Sequence, residues 1–82
     1  NQSMIVKRLR DMGCSVQVPS QVGFGCPDLL VGFSGKNYLF EVKNKNGKLR
    51  PSQRNWFSGW SGQAVVIRNF DDAIKEFISC EL

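Results

Sequence analysis

The run Cys26-Pro27-Asp28-Leu29-Leu30-Val31-Gly32-Phe33, then Ser34-Gly35-Lys36-Asn37, then Tyr38-Leu39-Phe40-Glu41-Val42-Lys43 most constrains what this chain can become. β-branched and aromatic residues stand on both sides of a Ser-Gly-Lys-Asn connection, so the run reads as a β-hairpin. Successive side chains in a strand alternate faces, which puts Glu41 and Lys43 on one face of the second strand. Pairing the strands around a four-residue turn, Ser34 to Asn37, sets Asp28 opposite Lys43 at the open end. Asp28, Glu41 and Lys43 then converge. Two carboxylates and an ammonium among core-forming neighbours are costly unless they bind something, and a hard divalent cation is the natural candidate.

The remaining sequence supplies a frame for that hairpin. Residues 3 to 12 read as a helix with Met4, Ile5, Leu9 and Met12 as its apolar stripe and Gly13 as its C-terminal stop. Ser15 to Pro19 alternates as a short strand, and Ser20 to Gly25 is a loop whose glycines imply a sharp bend or a close approach just before Asp28. Asn44 to Arg50 is a polar, basic loop with Asn-Gly turn chemistry, and Pro51 suits the first turn of a helix that Gly62 ends. Gln53, Trp56, Phe57 and Trp60 share one face of that helix. Gln63 to Ile67 reads as a strand buried on both faces. Asn69 or Asp71 caps a last helix with the stripe Phe70, Ala73, Ile74, Phe77 and Ile78. The expected class is α/β, in the order αβββαβα, with a central mixed sheet flanked by helices. At 82 residues, 1–82 is read as a single domain.

Charge narrows the class of partner. The net charge is +4, and no acid falls between Val42 and Phe70, whereas Lys43, Lys45, Lys48, Arg50, Arg54 and Arg68 all do. That distribution favours a polyanion, with the loop from Lys45 to Arg54 beside the presumed site as its phosphate-contacting surface. Arg68, Lys7, Arg8 and Arg10 are read as solvated surface. Trp56, Phe57 and Trp60 are read as core and interface rather than as base-stacking platforms. Three cysteines without CxxC spacing and no histidine argue against a zinc site, so Cys14, Cys26 and Cys80 are expected as reduced, mostly buried thiols. No apolar run approaches the length of a membrane span and no signal-peptide pattern opens the chain, which leads to the expectation of a cytoplasmic protein with no membrane partner.

Phosphodiester hydrolysis needs an activated water, a neutralised phosphate and a stabilised leaving oxygen, and Mg²⁺ or Mn²⁺ can supply these. Such ions take oxygen ligands, and Asp28, Glu41 and the carbonyl of Val42 are suitable donors. Lys43, on the same face, is placed to orient the water or stabilise developing phosphate charge.

Pro27-Asp28, followed thirteen positions after the aspartate by Glu41-Val42-Lys43, resembles the PD-(D/E)xK nuclease motif. With Lys48-Leu49-Arg50-Pro51-Ser52-Gln53 and Gln63-Ala64-Val65-Val66-Ile67, the chain resembles, over nearly its whole length, a stand-alone VRR-NUC domain of the phage or bacterial type, similar to Holliday junction resolvases. The resemblance implies a restriction-endonuclease-like core and a Mg²⁺- or Mn²⁺-dependent, structure-selective DNA endonuclease leaving 5′-phosphate ends. It also implies branched DNA such as four-way junctions as substrate, and a homodimer. Asp28 and Glu41 would hold metal, Lys43 would be the catalytic lysine, and Gln53 the glutamine that reaches back to the site. Lys45, Lys48, Arg50 and Arg54 would contact DNA. Family members commonly carry a glutamate in the first helix; here no acid precedes Asp11, and Gln2 or Ser3 stands in that region. The alternative reading is a non-catalytic nucleic-acid-binding module that keeps the fold with a degenerate site.

Overall fold

A computed structural model describes residues 1–19 and 25–81, leaving out the side chains of 80 and 81. Seven elements follow in the expected order: helix α1 (Gln2–Asp11), strands β1 (Ser15–Gln17), β2 (Leu29–Phe33) and β3 (Lys36–Val42), helix α2 (Pro51–Gly59), strand β4 (Val65–Ile67) and helix α3 (Phe70–Glu81). The expected loop from Ser20 to Gly25 lies outside the described residues except for Gly25, and so does the thiol of Cys80.

The four strands form one mixed sheet in the order β1-β2-β3-β4, antiparallel except for the parallel pair β3 and β4. Leu29, Val31, Tyr38 and Phe40 point to one face, where Ile5, Val6 and Leu9 of α1 and Ala73 and Phe77 of α3 close over them. The Phe77 ring fills the centre of that layer, stacked at 4.6 Å on Phe33 and edge-on at 4.8 Å to Tyr38. Burial of this aromatic set is the main source of cohesion in so small a domain.

Helix ends follow local chemistry. In α1 the Asn1 side chain accepts from the Met4 N–H at 2.9 Å. At the other end Gly13, at φ 103°, lets its own N–H and that of Cys14 turn back to the carbonyls of Arg10 and Leu9. Asn69, rather than Asp71, caps α3 by accepting from the Asp72 N–H at 2.9 Å.

Four sequence expectations need correction. The buried stripe of α1 is Ile5, Val6 and Leu9, while Met4 and Met12 are exposed, because the helix docks through the line of residues 5 and 9 and Met4 lies about a quarter-turn outside it. Helix α2 stops at Gly59, short of Gly62, with Trp60 already extended at ψ 124°. Strand β4 is an edge strand of three residues, with Val65 and Val66 half-buried; Gln63 does not join it but uses its side-chain Oε1 to accept from the Leu39 N–H of β3 at 2.7 Å. The hairpin turn has two residues, not four: Ser34 at φ 54° and Gly35 at φ 81° are both left-handed, a geometry that matches the twist of paired strands. Phe33 therefore pairs with Lys36 and Leu29 with Phe40.

Candidate active site

The two-residue turn has a direct consequence for the site. Continued one residue beyond Leu29 and Phe40, the register sets Asp28 across from Glu41 rather than from Lys43. The two carboxylates become cross-strand neighbours, and the Val42 N–H donates to Asp28 Oδ2 at 2.9 Å, fixing that side chain against β3. Asp28, Glu41 and Lys43 converge as expected, by a different pairing.

Glu41 is the unusual group. It is only 2% exposed, and its Oε1 has no hydrogen-bond partner among the described residues. Its Oε2 accepts from Gln53 Nε2 at 2.9 Å and lies 3.5 Å from Lys43 Nζ. Burial is the largest cause, and the Asp28 carboxylate the next, of a Glu41 pKa pushed up to about 7, against a smaller opposing pull from Lys43. A buried carboxylate with an idle oxygen, beside a second carboxylate, is a site short of positive charge.

Gln53 is placed by the start of α2. Its Oε1 accepts from the Arg50 N–H at 2.8 Å, which caps the helix and turns Nε2 toward Glu41. Buried to 4% exposure, Gln53 links the N-terminus of α2 to the sheet face opposite the aromatic core. Gly25 makes that docking possible. It sits at φ 83°, and a Cβ there would run into the Ser52 carbonyl. The close approach expected of the glycines before Asp28 is this one, for the glycine that is described.

A cleft of about 310 Å³ opens here, lined by Gln2, Pro19, Cys26, Asp28, Arg50 and Gln53, among others. Cys26 is half-buried; burial first, then the Glu41 and Asp28 carboxylates, hold its thiol above the ordinary range, so it remains a protonated bystander. Cys14 is buried and likewise raised by desolvation. Gln2 lines this cleft from α1, whereas Ser3 Oγ turns away to Asn1 Oδ1. Of the two candidates for the first-helix position, Gln2 is the one at the site.

Of the basic residues expected to meet DNA, Arg50 lines the Asp28 cleft and Lys45 lines an adjoining one with Lys43. Lys48 and Arg54 are exposed and line neither, Arg54 reaching instead for the Leu49 carbonyl at 3.4 Å. Arg68 is exposed, as expected of solvated surface, but it also borders the site: its guanidinium Nη1 donates to the carbonyls of Asn44 and Gly47, beside Lys43. The parallel pairing of Val42 with Ile67 is the signal that locates it, since it makes residue 68 the neighbour of residue 43.

Among the described residues no group of three His, Cys, Asp or Glu side chains is assembled for a metal, so any cation would rest on two carboxylates completed by carbonyl oxygen and water. That donor set fits a hard ion such as Mg²⁺ or Mn²⁺ better than zinc, and Glu41 Oε1 is a buried oxygen without a hydrogen-bond partner among the described residues.

A mixed four-stranded sheet with three helices in this order is a restriction-endonuclease-like fold. Neither a protein-family model nor a curated protein matches the chain. Among solved structures it is similar to one described as a VRR_NUC domain, at 29% identity over 90% of this chain and 86% of that one, with a TM-score of 0.72. The likeness supports a VRR-NUC domain and, with it, a nuclease of the PD-(D/E)xK type. No helix among the described residues is long and apolar enough to cross a membrane.

Proposed function

We propose that the chain is a Mg²⁺- or Mn²⁺-dependent endonuclease that cuts branched DNA, four-way junctions in particular, leaving 5′-phosphate ends. The observation that carries this reading is Glu41: buried, with one oxygen idle and the other held by Gln53, directly across from Asp28 and on the face of Lys43. Asp28, Glu41 and the Val42 carbonyl would hold the cation, which when bound lowers the pKa of water and offsets phosphate charge. The chain's own groups do the rest. The Val42 N–H and Gln53 amide hold the two carboxylates in place, so little rearrangement is needed when substrate arrives. The Lys43 ammonium, half-buried and 3.5 Å from Glu41, is positioned to orient the attacking water and to stabilise charge developing on the phosphate.

Gln2 in place of an acid on α1 leaves the site with two carboxylates, which favours a single tightly held ion. Paired cuts on opposite strands require two such sites, hence a two-fold homodimer. Exposed Leu30 and Trp60, lining one cleft with Leu39 on the face opposite the aromatic core, offer the second copy an apolar contact.

The test is cleavage of a labelled four-way junction, linear duplex and single strand with Mg²⁺, Mn²⁺ or EDTA, by the wild type and by Lys43→Ala. Metal-dependent paired cuts on the junction, slowed about 10²–10³-fold in the variant, are expected. DNA bound but uncut under every condition would overturn the enzyme and leave a nucleic-acid-binding module.

A further inference from the structure

Beside the Asp28 cleft, and sharing Gln2 with it, lies a second cleft of about 440 Å³ lined by Asn1, Val42, Lys43, Asn44, Lys45 and Arg68. Three of these residues are cations and none is an acid. Its structure depends on Arg68. One guanidinium nitrogen, Nη1, donates to both the Asn44 carbonyl at 2.7 Å and the Gly47 carbonyl at 2.8 Å. Those residues form the stem of the turn after Lys43, closed by the Gly47 N–H on the Asn44 carbonyl at 3.1 Å, with Lys45 and Asn46 at its tip. The backbone of Arg68 is itself fixed, its N–H donating to Asp72 Oδ2 at 2.9 Å. The preceding Ile67 carbonyl accepts from the Lys43 N–H at 3.0 Å.

Nη1 has two hydrogens, and the two carbonyls take both. The Nε and Nη2 donors have no hydrogen-bond partner among the described residues, and together they are the fork that matches two oxygens of one phosphate. Carbonyls do not neutralise a guanidinium, so a loop clamp alone leaves both the charge and the fork unused.

We propose that Arg68, with Lys45, forms a phosphate subsite that grips a backbone phosphate neighbouring the one served by Lys43. The subsite rests on the nuclease reading and says along which side of the site the DNA strand runs: past the turn at Lys45 and the end of β4. Arg68 has two tasks there. Its Nη1 sets the turn that carries Lys45, and its free edge takes the phosphate.

Equilibrium binding of a four-way DNA junction in EDTA, where no cleavage occurs, tests this when measured by fluorescence anisotropy over a salt series. Removing one phosphate-binding cation should reduce the slope of log K against log salt by about one. Arg68→Gln is expected to show that reduction and to bind about tenfold more weakly at moderate salt. Arg68→Lys should keep the slope yet fall several-fold in affinity, because an ammonium lacks the fork. Lys45→Ala removes an exposed side chain with no hydrogen bond among the described residues, so it probes the subsite without touching the fold, and its slope too should fall by about one. A wild-type slope and affinity in either Arg68→Gln or Lys45→Ala overturns the subsite. Salt-insensitive or absent binding by the wild type would instead overturn the nuclease reading, and the subsite with it.

Discussion

Phe40 and Glu41 are neighbours on β3 and nearly equal in burial, 0% and 2% exposed, yet they do opposite things to stability. Phe40 faces α3 and sits among Tyr38, Phe77 and Leu29, where close packing removes apolar surface from water. Glu41 faces α2, where one amide and one ammonium meet a carboxylate that burial would rather keep neutral. One strand thus carries a face selected for cohesion and a face held at a cost. The difference separates two kinds of buried residue that accessibility alone would treat alike.

The largest expected effect breaks the cohesive face. Phe40→Ala removes a fully buried ring and should cost about 3–5 kcal/mol. For a domain of this size the thermal midpoint then drops by roughly 15 °C or more, as circular dichroism would read. On the other face the same kind of truncation should spare the fold and remove the activity. Lys43→Ala is expected to lower the cleavage rate about 10²–10³-fold, with a midpoint within a few degrees of wild type.

Glu41 sharpens the contrast through pH. Its pKa is raised from the ordinary 4.5 to about 7 in the folded protein, so between those values the folded state holds a proton that the unfolded state has released. The contribution of this group to stability therefore grows as pH falls from about 7 toward 4.5, and is unfavourable above 7. Glu41→Gln removes the charge at nearly constant shape. In EDTA it should exceed wild-type stability at pH 8 by about 3 kcal/mol and match it near pH 4.5, in paired denaturant titrations.

Gln53 gives the smallest effect of the series. Gln53→Ala deletes the donor that holds Glu41 Oε2 and the acceptor that caps α2. If Glu41 holds the proposed cation, removing the group that orients it should reduce cleavage or metal affinity about 10- to 100-fold, visible in single-turnover rates against metal concentration.

Much of the site could be read from the sequence because it obeys strand alternation. Glu41 and Lys43, two apart, needed no register to share a face, and Pro27-Asp28 marked the start of the partner strand. The register itself could not be read, since it turned on Ser34 adopting a left-handed φ of 54°, a conformation glycine takes readily and serine seldom does. Asp28 therefore came to face Glu41, and the Val42 N–H was the unforeseen partner. Arg68 was hidden for a different reason. Its place beside Lys43 depends on parallel pairing of β3 with β4 across a helix, and no local pattern reports that. In α1 the periodicity was right and the phase was not, because Met4 and Val6 both border Ile5, and only the docking against the sheet chooses between them.

The measurement that tests the proposed cation site most directly is the thermal midpoint of wild type and Glu41→Gln at pH 8, in EDTA and in saturating Mn²⁺ or Mg²⁺. In EDTA the variant should melt higher. With metal at about a thousand times its dissociation constant the wild type should gain about 4.1 kcal/mol and overtake it, while the variant stays where it was. A wild type unmoved by either metal, or a variant that rises equally, would contradict a cation site built on Glu41.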